Sequence, residues 1–339
     1  MSADPSTAMR PEGGSHVAPA DRAEWLKLCR ECEYATFFHT PYWAELFSSR
    51  YPGRFSVDPK QVRFDDGHTA IIPVVYKKLL GGLLRVACSM PAGTFGGAVS
   101  NGPLTAQQEQ KVYSLLFSSS DCIFRENPYQ QLQALPESVT SYEDPTQAVD
   151  LTEGYDSVWK RATAAHRNAV RNAVKSGVVI SEAQGEEEWH RYVAIYCASI
   201  SRWRKKGLFS GVSYDEPFFL RIAALDAPLR KLWIARVNGE PVAGILCFYW
   251  NRHAVVWHGS ALEHYFSYHP NNLLYDRAME HAAQEGYRWF DCNPSGSLRG
   301  VFKFKQYLGA QTLRSRVVVK TSPLIRIVQG IRARKRGRT

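Results

Sequence analysis

The stretch Lys231–Ser260 constrains this chain most. It holds three apolar, β-prone runs, Lys231–Val237, Pro241–Tyr249 and Arg252–Ser260, each too short for a typical helix. Asn238-Gly239 joins the first two and supplies the positive φ angles that a two-residue hairpin turn demands. An antiparallel meander is therefore expected, and it must bury its apolar faces against helices. Suitable helices stand on both sides. One begins at Thr152 and stops at Gly177. The next opens on Glu186–Glu188 and repeats apolar residues at Trp189, Val193, Tyr196, Ile200 and Trp203, the spacing of one buried stripe. Acids at its start and Arg204, Lys205 and Lys206 at its end suit the helix dipole, and Gly207 supplies the stop. A short helix over Pro217–Leu225 follows. Beyond the meander come a helix over Asn271–Glu285 that ends at Gly286, a strand over Tyr287–Cys292, a last helix, and a strand over Leu313–Lys320.

The front of the chain is expected to carry a smaller version of this pattern. Asp21 caps a helix through Cys32, and Thr40-Pro41 opens another with Trp43, Leu46 and Phe47 on its apolar side. Strands over Phe55–Phe64 and Thr69–Tyr76 are joined by Asp66-Gly67. Thr105 and Gln108 form a capping box for a helix to Phe117. Gly67 and Gly239 lie half a chain apart in similar hairpins, which suggests a duplicated α/β unit. A length of 339 residues suits two domains. They are placed at residues 21–148 and 149–322, with Ser141–Gln147 as the linker, residues 1–20 disordered, and a basic amphipathic tail over 323–339.

Composition narrows the class. No run approaches the roughly 20 uncharged apolar residues of a bilayer span; the best, Leu79–Met90, carries Arg85. The first residues lack an apolar leader, so a cytoplasmic protein is expected. Much of the net charge of +10 sits at the end, on Arg314, Arg316, Lys320, Arg326, Arg332, Arg334, Lys335, Arg336 and Arg338, with no acid after Gln311. The body is nearly neutral, which argues against a nucleic-acid-binding core and for an end that touches something anionic. In that tail Leu324, Ile327, Val328 and Ile331 share a helical face. Such a helix suits peripheral contact with an anionic inner membrane face, or the phosphates of tRNA or a lipid-linked precursor. The seven cysteines are scattered; Cys29 and Cys32 have no second pair to complete a zinc site, and no metal is expected.

The second half resembles the GNAT acyltransferases, in particular the Fem-like group related to the peptidoglycan aminoacyltransferases. His166–Val178 (HRNAVRNAVKSGV) is similar to that group's basic helix. Asn271–Ser295 is similar to its helix, glycine and F-D strand. Phe304–Gly309 (FKQYLG) is similar to its F-K-x-x-[FL]-G segment. The likeness covers residues 150–312. Residues 22–150 resemble the group's first domain more faintly, through Pro41–Trp43 and the Asp-Gly hairpin. The resemblance implies an α/β fold of two tandem GNAT-like domains, each a mostly antiparallel mixed sheet flanked by helices. It also implies transfer of an acyl group from an acyl-CoA or an aminoacyl-tRNA to an amine of an envelope or cell-wall precursor, or of a small metabolite. GNAT enzymes that use CoA usually show [QR]-x-x-G-x-[GA] before the helix, where glycines let backbone N–H groups cradle pyrophosphate. Here that junction is Glu263–Asn272 (EHYFSYHPNN), without glycine. Two readings therefore stand beside the Fem-like one: an acetyl-CoA enzyme with a variant phosphate loop, and a non-catalytic module that binds a polyanion or a membrane.

By the same resemblance Lys305 faces the donor acyl end as a ligand for oxyanion or phosphate. Lys303 and Lys305 flank Phe304, so one is expected to point inward. Asp291, at the end of its strand, either orients the acceptor amine or caps the Asn293-Pro294 corner. His258 is a candidate for proton transfer. Arg167, Arg171 and Lys175 form a basic stripe that suits phosphate, as do Arg202 and Arg204. Tyr265 and Asn271 complete the candidate substrate contacts. No cysteine falls in a matched motif, which favours direct attack by the amine.

Overall fold

The computed structural model describes residues 14–119, 121–207, 212–296 and 298–325. The first half runs β1 (Ser15–Pro19), α1 (Arg22–Glu31), α2 (Pro41–Arg50), β2 (Phe55–Val57), β3 (Lys60–Phe64), β4 (Thr69–Ile72), β5 (Val75–Leu79), β6 (Leu84–Cys88), β7 (Phe95–Gly96), β8 (Val99–Ser100), α3 (Ala106–Phe117), β9 (Cys122–Glu126) and β10 (Thr140–Glu143). The second runs β11 (Thr146–Asp150), α4 (Tyr155–Arg161), α5 (Ala164–Lys175), β12 (Val179–Glu182), α6 (Gly185–Lys205), α7 (Glu216–Ala223), β13 (Arg230–Val237), β14 (Glu240–Trp250), β15 (His253–Ala261), α8 (Pro270–Gln284), β16 (Trp289–Asp291), α9 (Arg299–Tyr307), β17 (Gln311–Leu313) and β18 (Arg316–Lys320).

Several local signals act as expected. The Asp21 carboxylate accepts from the N–H groups of Ala23 and Glu24, and Thr105 and Gln108 close a reciprocal capping box on α3. Asn238 and Gly239 both take positive φ and turn β13 into β14. Asp66-Gly67 likewise joins β3 to β4. The halves repeat one motif, a strand, a helix and a parallel strand: β6, α3 and β9 in the first, β15, α8 and β16 in the second. Two mixed seven-stranded sheets result, β10-β18-β9-β6-β5-β2 with β7 beside β9, and β12-β13-β14-β15-β16-β11-β17; β1, β3, β4 and β8 form a smaller sheet.

Four expectations change. Ser15–Pro19, expected in a disordered start, pairs with β3, while residues 1–13 fall outside the described residues. Ser141–Gln147 is no linker. Its polar residues belong to β10 and β11, and Asp144-Pro145 is the corner between them. The expected boundary at residue 148 thus falls inside a strand, and the chain end crosses back, since β18 inserts between β10 and β9 of the first half's sheet. The single helix over 152–177 is two, because Ala162 leaves helical geometry and the Thr163 hydroxyl caps α5. The two long front strands are four, bent between sheets. Of the amphipathic tail, only its first residues are described; Arg326 onward, with Ile327, Val328 and Ile331, lies outside the described residues.

One aromatic core joins the halves. Phe37 stacks on Phe248 at 4.3 Å, and Trp43, fully buried, meets Phe38, Phe47, Phe248 and Trp257 within 5.4 Å. Each such ring stabilises the seam by about 1.5–3 kcal/mol through burial. Cys29 and Cys32 serve this seam through their carbonyls, which accept from Trp250 and Asn251, and both thiols are buried.

Two buried histidines sit at the same seam. Burial holds His39 down to about 4 and His253 down to about 3. Both are depressed, so the unfolded chain takes up protons first as pH falls below the ordinary histidine value of about 6.5. Stability is full above that value and is lost as pH falls from 6.5 toward 4. A melting series across this window should show Tm dropping by roughly 10 °C. A flat profile would mean that neither histidine stays neutral in the fold.

Candidate functional site

β15 and β16 pair in parallel over only three positions, His253–Trp289, Ala254–Phe290 and Val255–Asp291, and then diverge. On the other side of β15 the ladder with β14 slips: Leu246 faces His258 while Cys247 faces Val256, so Trp257 is an extra, bulged residue. Trp257, His258 and Gly259 therefore have no strand partner on the β16 side. Such an open edge presents main-chain groups at fixed positions. Asn293 closes its inner end, its side-chain amide donating to the Val256 carbonyl at 2.6 Å. The outer end meets Tyr275 of α8, whose hydroxyl stands 3.5 Å from where a β-carbon on Gly259 would lie. Tyr275 packs on Phe304 of α9. Burial raises the Tyr275 pKa well above its ordinary value, so the phenol keeps its proton at neutral pH.

The opposite face of β15 is an aromatic box. His258 contacts Trp257 and Tyr196 at about 5 Å and reaches Phe219 and Tyr214. Burial lowers its pKa to about 4, so it is neutral at pH 7. Tyr214 also lines a cavity of about 500 Å³ between α2 and the first half's sheet, with Phe47, Tyr51, Lys77, Lys78 and Met90.

Asp291 and Lys305 come together at the closed end of the splay. Asp291 is fully buried and accepts from Thr146 Oγ1 at 2.7 Å, Tyr129 Oη at 2.8 Å and the Asn293 N–H at 2.6 Å. Desolvation raises its pKa, and these donors oppose the rise. The Lys305 ammonium, only 3% exposed, donates to the Asn293 carbonyl at 2.5 Å. Desolvation lowers its pKa, while Cys292 and Asp291 oppose that. Lys303 points the other way, over the Tyr307 ring. The inward lysine thus holds, through Asn293, the loop that follows β16. It makes no hydrogen bond or ion pair with His258, which lies on the far face of β15.

The remaining candidates disperse. Arg167 is spent on the carbonyls of Trp159, Lys160 and Ala162 at the end of α4. Arg171 lies over Trp159 and, with Lys175 and Arg277, rims a groove of about 510 Å³ between α5 and α8, which shares no lining residue with the splay. Arg202 donates to the Ala261 carbonyl at the outer end of β15, and Arg204 reaches Ser213. Tyr265 packs at a tilt against His264 and Tyr268 on the turn before α8, and Asn271 lies in its first turn. That start carries Pro270, which has no N–H, preceded by His269 at φ +55°. The described residues hold no cluster of three or more metal-ligating side chains.

Sequence reading missed Tyr275, Asn293, Tyr129 and Thr146. Tyr275 stands one turn after Asn271 and one residue beyond the buried Leu274, a spacing visible in the sequence. What it faces depends on the gap beside Gly259, which only the fold shows.

Residues 160–306 match the family model for the acetyltransferase (GNAT) domain. The match places a GNAT-type acetyltransferase domain in this stretch of the chain. The fold extends the likeness to about nine tenths of the chain. It aligns with a crystal structure of FemX at TM-score 0.65 and 10% identity, over 89% of this chain and 96% of that one. The C-terminal domain of a putative lysylphosphatidylglycerol synthetase from Agrobacterium fabrum aligns at 0.55 and 12%, over 89% and 93%. A tandem GNAT protein from the clavulanic acid biosynthesis pathway aligns at 0.52 and 10%, over 90% and 98%. No curated protein matches the sequence. Two tandem GNAT-like domains in a Fem-like arrangement thus describe the fold.

Proposed function

We propose that the protein transfers an acyl or aminoacyl group to an amine of an envelope precursor or small metabolite, with the donor carbonyl lying on the open edge of β15. The carrying observation is the bulge at Trp257 beside the splay, which leaves main-chain groups of Trp257–Gly259 unclaimed by β16. Main-chain N–H groups fixed before the reaction stabilise a tetrahedral oxyanion without reorganising, worth about 3–4 kcal/mol per donor. The two faces of β15 divide the work. The donor enters between α8 and α9, where the Tyr275 phenol stands ready to protonate the leaving group. The amine approaches from the aromatic box, with neutral His258 beside it. Asp291 and Lys305 act as positioning residues that hold Asn293 and so the width of the splay.

Direct attack fits the thiols. Burial pushes the Cys292 thiol up to about 12, so it is not a thiolate nucleophile at neutral pH. The start of α8 departs from the usual CoA cradle, because Pro270 offers no N–H and side chains in place of glycine hold the backbone back from a pyrophosphate. The lysylphosphatidylglycerol synthetase likeness supports an aminoacyl group, and the resemblance of Phe304–Gly309 to the Fem-like segment supports an envelope acceptor.

A thermal-shift panel of acyl-CoAs and charged tRNAs tests the donor. A donor at a hundredfold its Kd adds about 2.7 kcal/mol of stability. Protection by an aminoacyl-tRNA is expected. Protection by acetyl-CoA alone would instead identify an acetyl-CoA enzyme with a variant phosphate loop.

A further inference from the structure

The hairpin between β5 and β6 ends in an unusual tip, Lys77-Lys78-Leu79-Leu80-Gly81-Gly82-Leu83-Leu84-Arg85. Leu80 is 50% and Leu83 86% exposed. Leu80 takes φ +49°, a conformation rare for a bulky residue, and Gly81 and Gly82 continue at positive φ. The turn thus turns two leucines into water when a polar hairpin would meet no such cost. The hairpin itself is cationic. No Asp or Glu occurs between Asp66 and Glu109, while Lys77, Lys78 and Arg85 flank the leucines and Arg54 lies on the neighbouring strand's approach. The end of the described chain meets the same tip. Ile325, fully buried, packs with Leu79 and Val86, and Leu324 beside it is 53% exposed. Residues 326–339 follow from that point and carry Arg326, Arg332, Arg334, Lys335, Arg336 and Arg338 without an acid.

We propose that this tip is a docking finger for an anionic lipid bilayer, with Leu80, Leu83 and Leu324 entering the headgroup–acyl boundary and the cations around them meeting lipid phosphates. Apolar side chains ringed by lysine and arginine suit that interface, and either feature alone binds weakly and reversibly. A protein partner would also cover leucines, but a hairpin that carries cations and no acid matches a surface whose charge is all of one sign. The position has a consequence for the acceptor. Lys77, Lys78 and Leu79 also line the 500 Å³ cavity that reaches Tyr214, so a docked molecule opens this cavity at headgroup level. The inference adds a membrane site to the acyl-transfer reading and does not depend on it, since vesicle binding needs no donor.

Co-sedimentation of the full chain with phosphatidylcholine vesicles, with and without phosphatidylglycerol, tests it. Binding is expected only with the anionic lipid, and it should weaken as salt rises. Leu80→Ser/Leu83→Ser should cut the bound fraction about tenfold at unchanged Tm, while turnover of a soluble amine stays the same. A single Leu83→Asp should do nearly as much. Three results would overturn the finger: no binding by the full chain, equal binding to neutral vesicles, or binding that the serine pair leaves intact. The last would assign the membrane contact to residues 326–339 alone.

Discussion

Replacing Gly259 by leucine should lower turnover at least about a hundredfold while Tm moves by no more than a few degrees. A β-carbon at this position would lie 3.4 Å from Ile245 Cγ2 and 3.5 Å from the Tyr275 hydroxyl, both ordinary contacts. Gly259→Ala should therefore fold and retain most activity. The leucine branches extend further, toward the Tyr275 hydroxyl of α8, where the proposed donor carbonyl would lie. Displacing a reacting group by about 1 Å costs on the order of a hundredfold, because the near-attack geometry is lost. Steady-state rates of both variants, read beside their melting curves, check this. If Gly259→Leu folds and works as well as the parent chain, the donor does not lie beside Gly259.

Asp291→Ala should cost about 3–5 kcal/mol of stability. The substitution strips partners from the Thr146 hydroxyl, the Tyr129 hydroxyl and the Asn293 N–H. It also leaves the Lys305 ammonium buried without its nearby carboxylate, and unpaired buried groups bear their full desolvation cost. Asp291→Asn, which keeps acceptor capacity, should lose less. Lys305→Met on its own should also lower Tm, because this lysine is inside the protein and not on its surface. Combined with Asp291→Asn it should cost less than the two singles added, a coupling of about 1–3 kcal/mol in denaturant titrations. Strict additivity would show that the two side chains do not share one network.

Much of the scaffold is legible in local chemistry. Asp21, Thr105 with Gln108, and Asn238-Gly239 each act through neighbours a few residues away, so their elements can be read directly. The failures are non-local. The strand character of Thr140–Asp150 is hidden because β10 is exposed along its length and is held in place by β18, far along the chain. The Thr163 break hides inside a continuous helical pattern. At the site, of the two lysines that flank Phe304, Lys305 turns inward to the Asn293 carbonyl and Lys303 faces out over Tyr307. Asp291 is visible as a strand end, but its three donors come from Tyr129, Thr146 and Asn293, two of them in or beside the other half. The basic stripe on α5 has the spacing of a phosphate site, yet Arg167 turns back to cap α4, which no spacing reveals. Trp257 could not be picked out, because a bulge is a property of two strands and not of one.

The most direct test of the donor's seat is amide hydrogen exchange across β15, with and without the donor that the thermal panel selects. Binding should slow exchange at Trp257, His258 and Gly259, with a smaller effect at the first turn of α8. Unchanged exchange there, together with slowing in the groove rimmed by Arg171 and Lys175, would move the reaction off the open edge of β15.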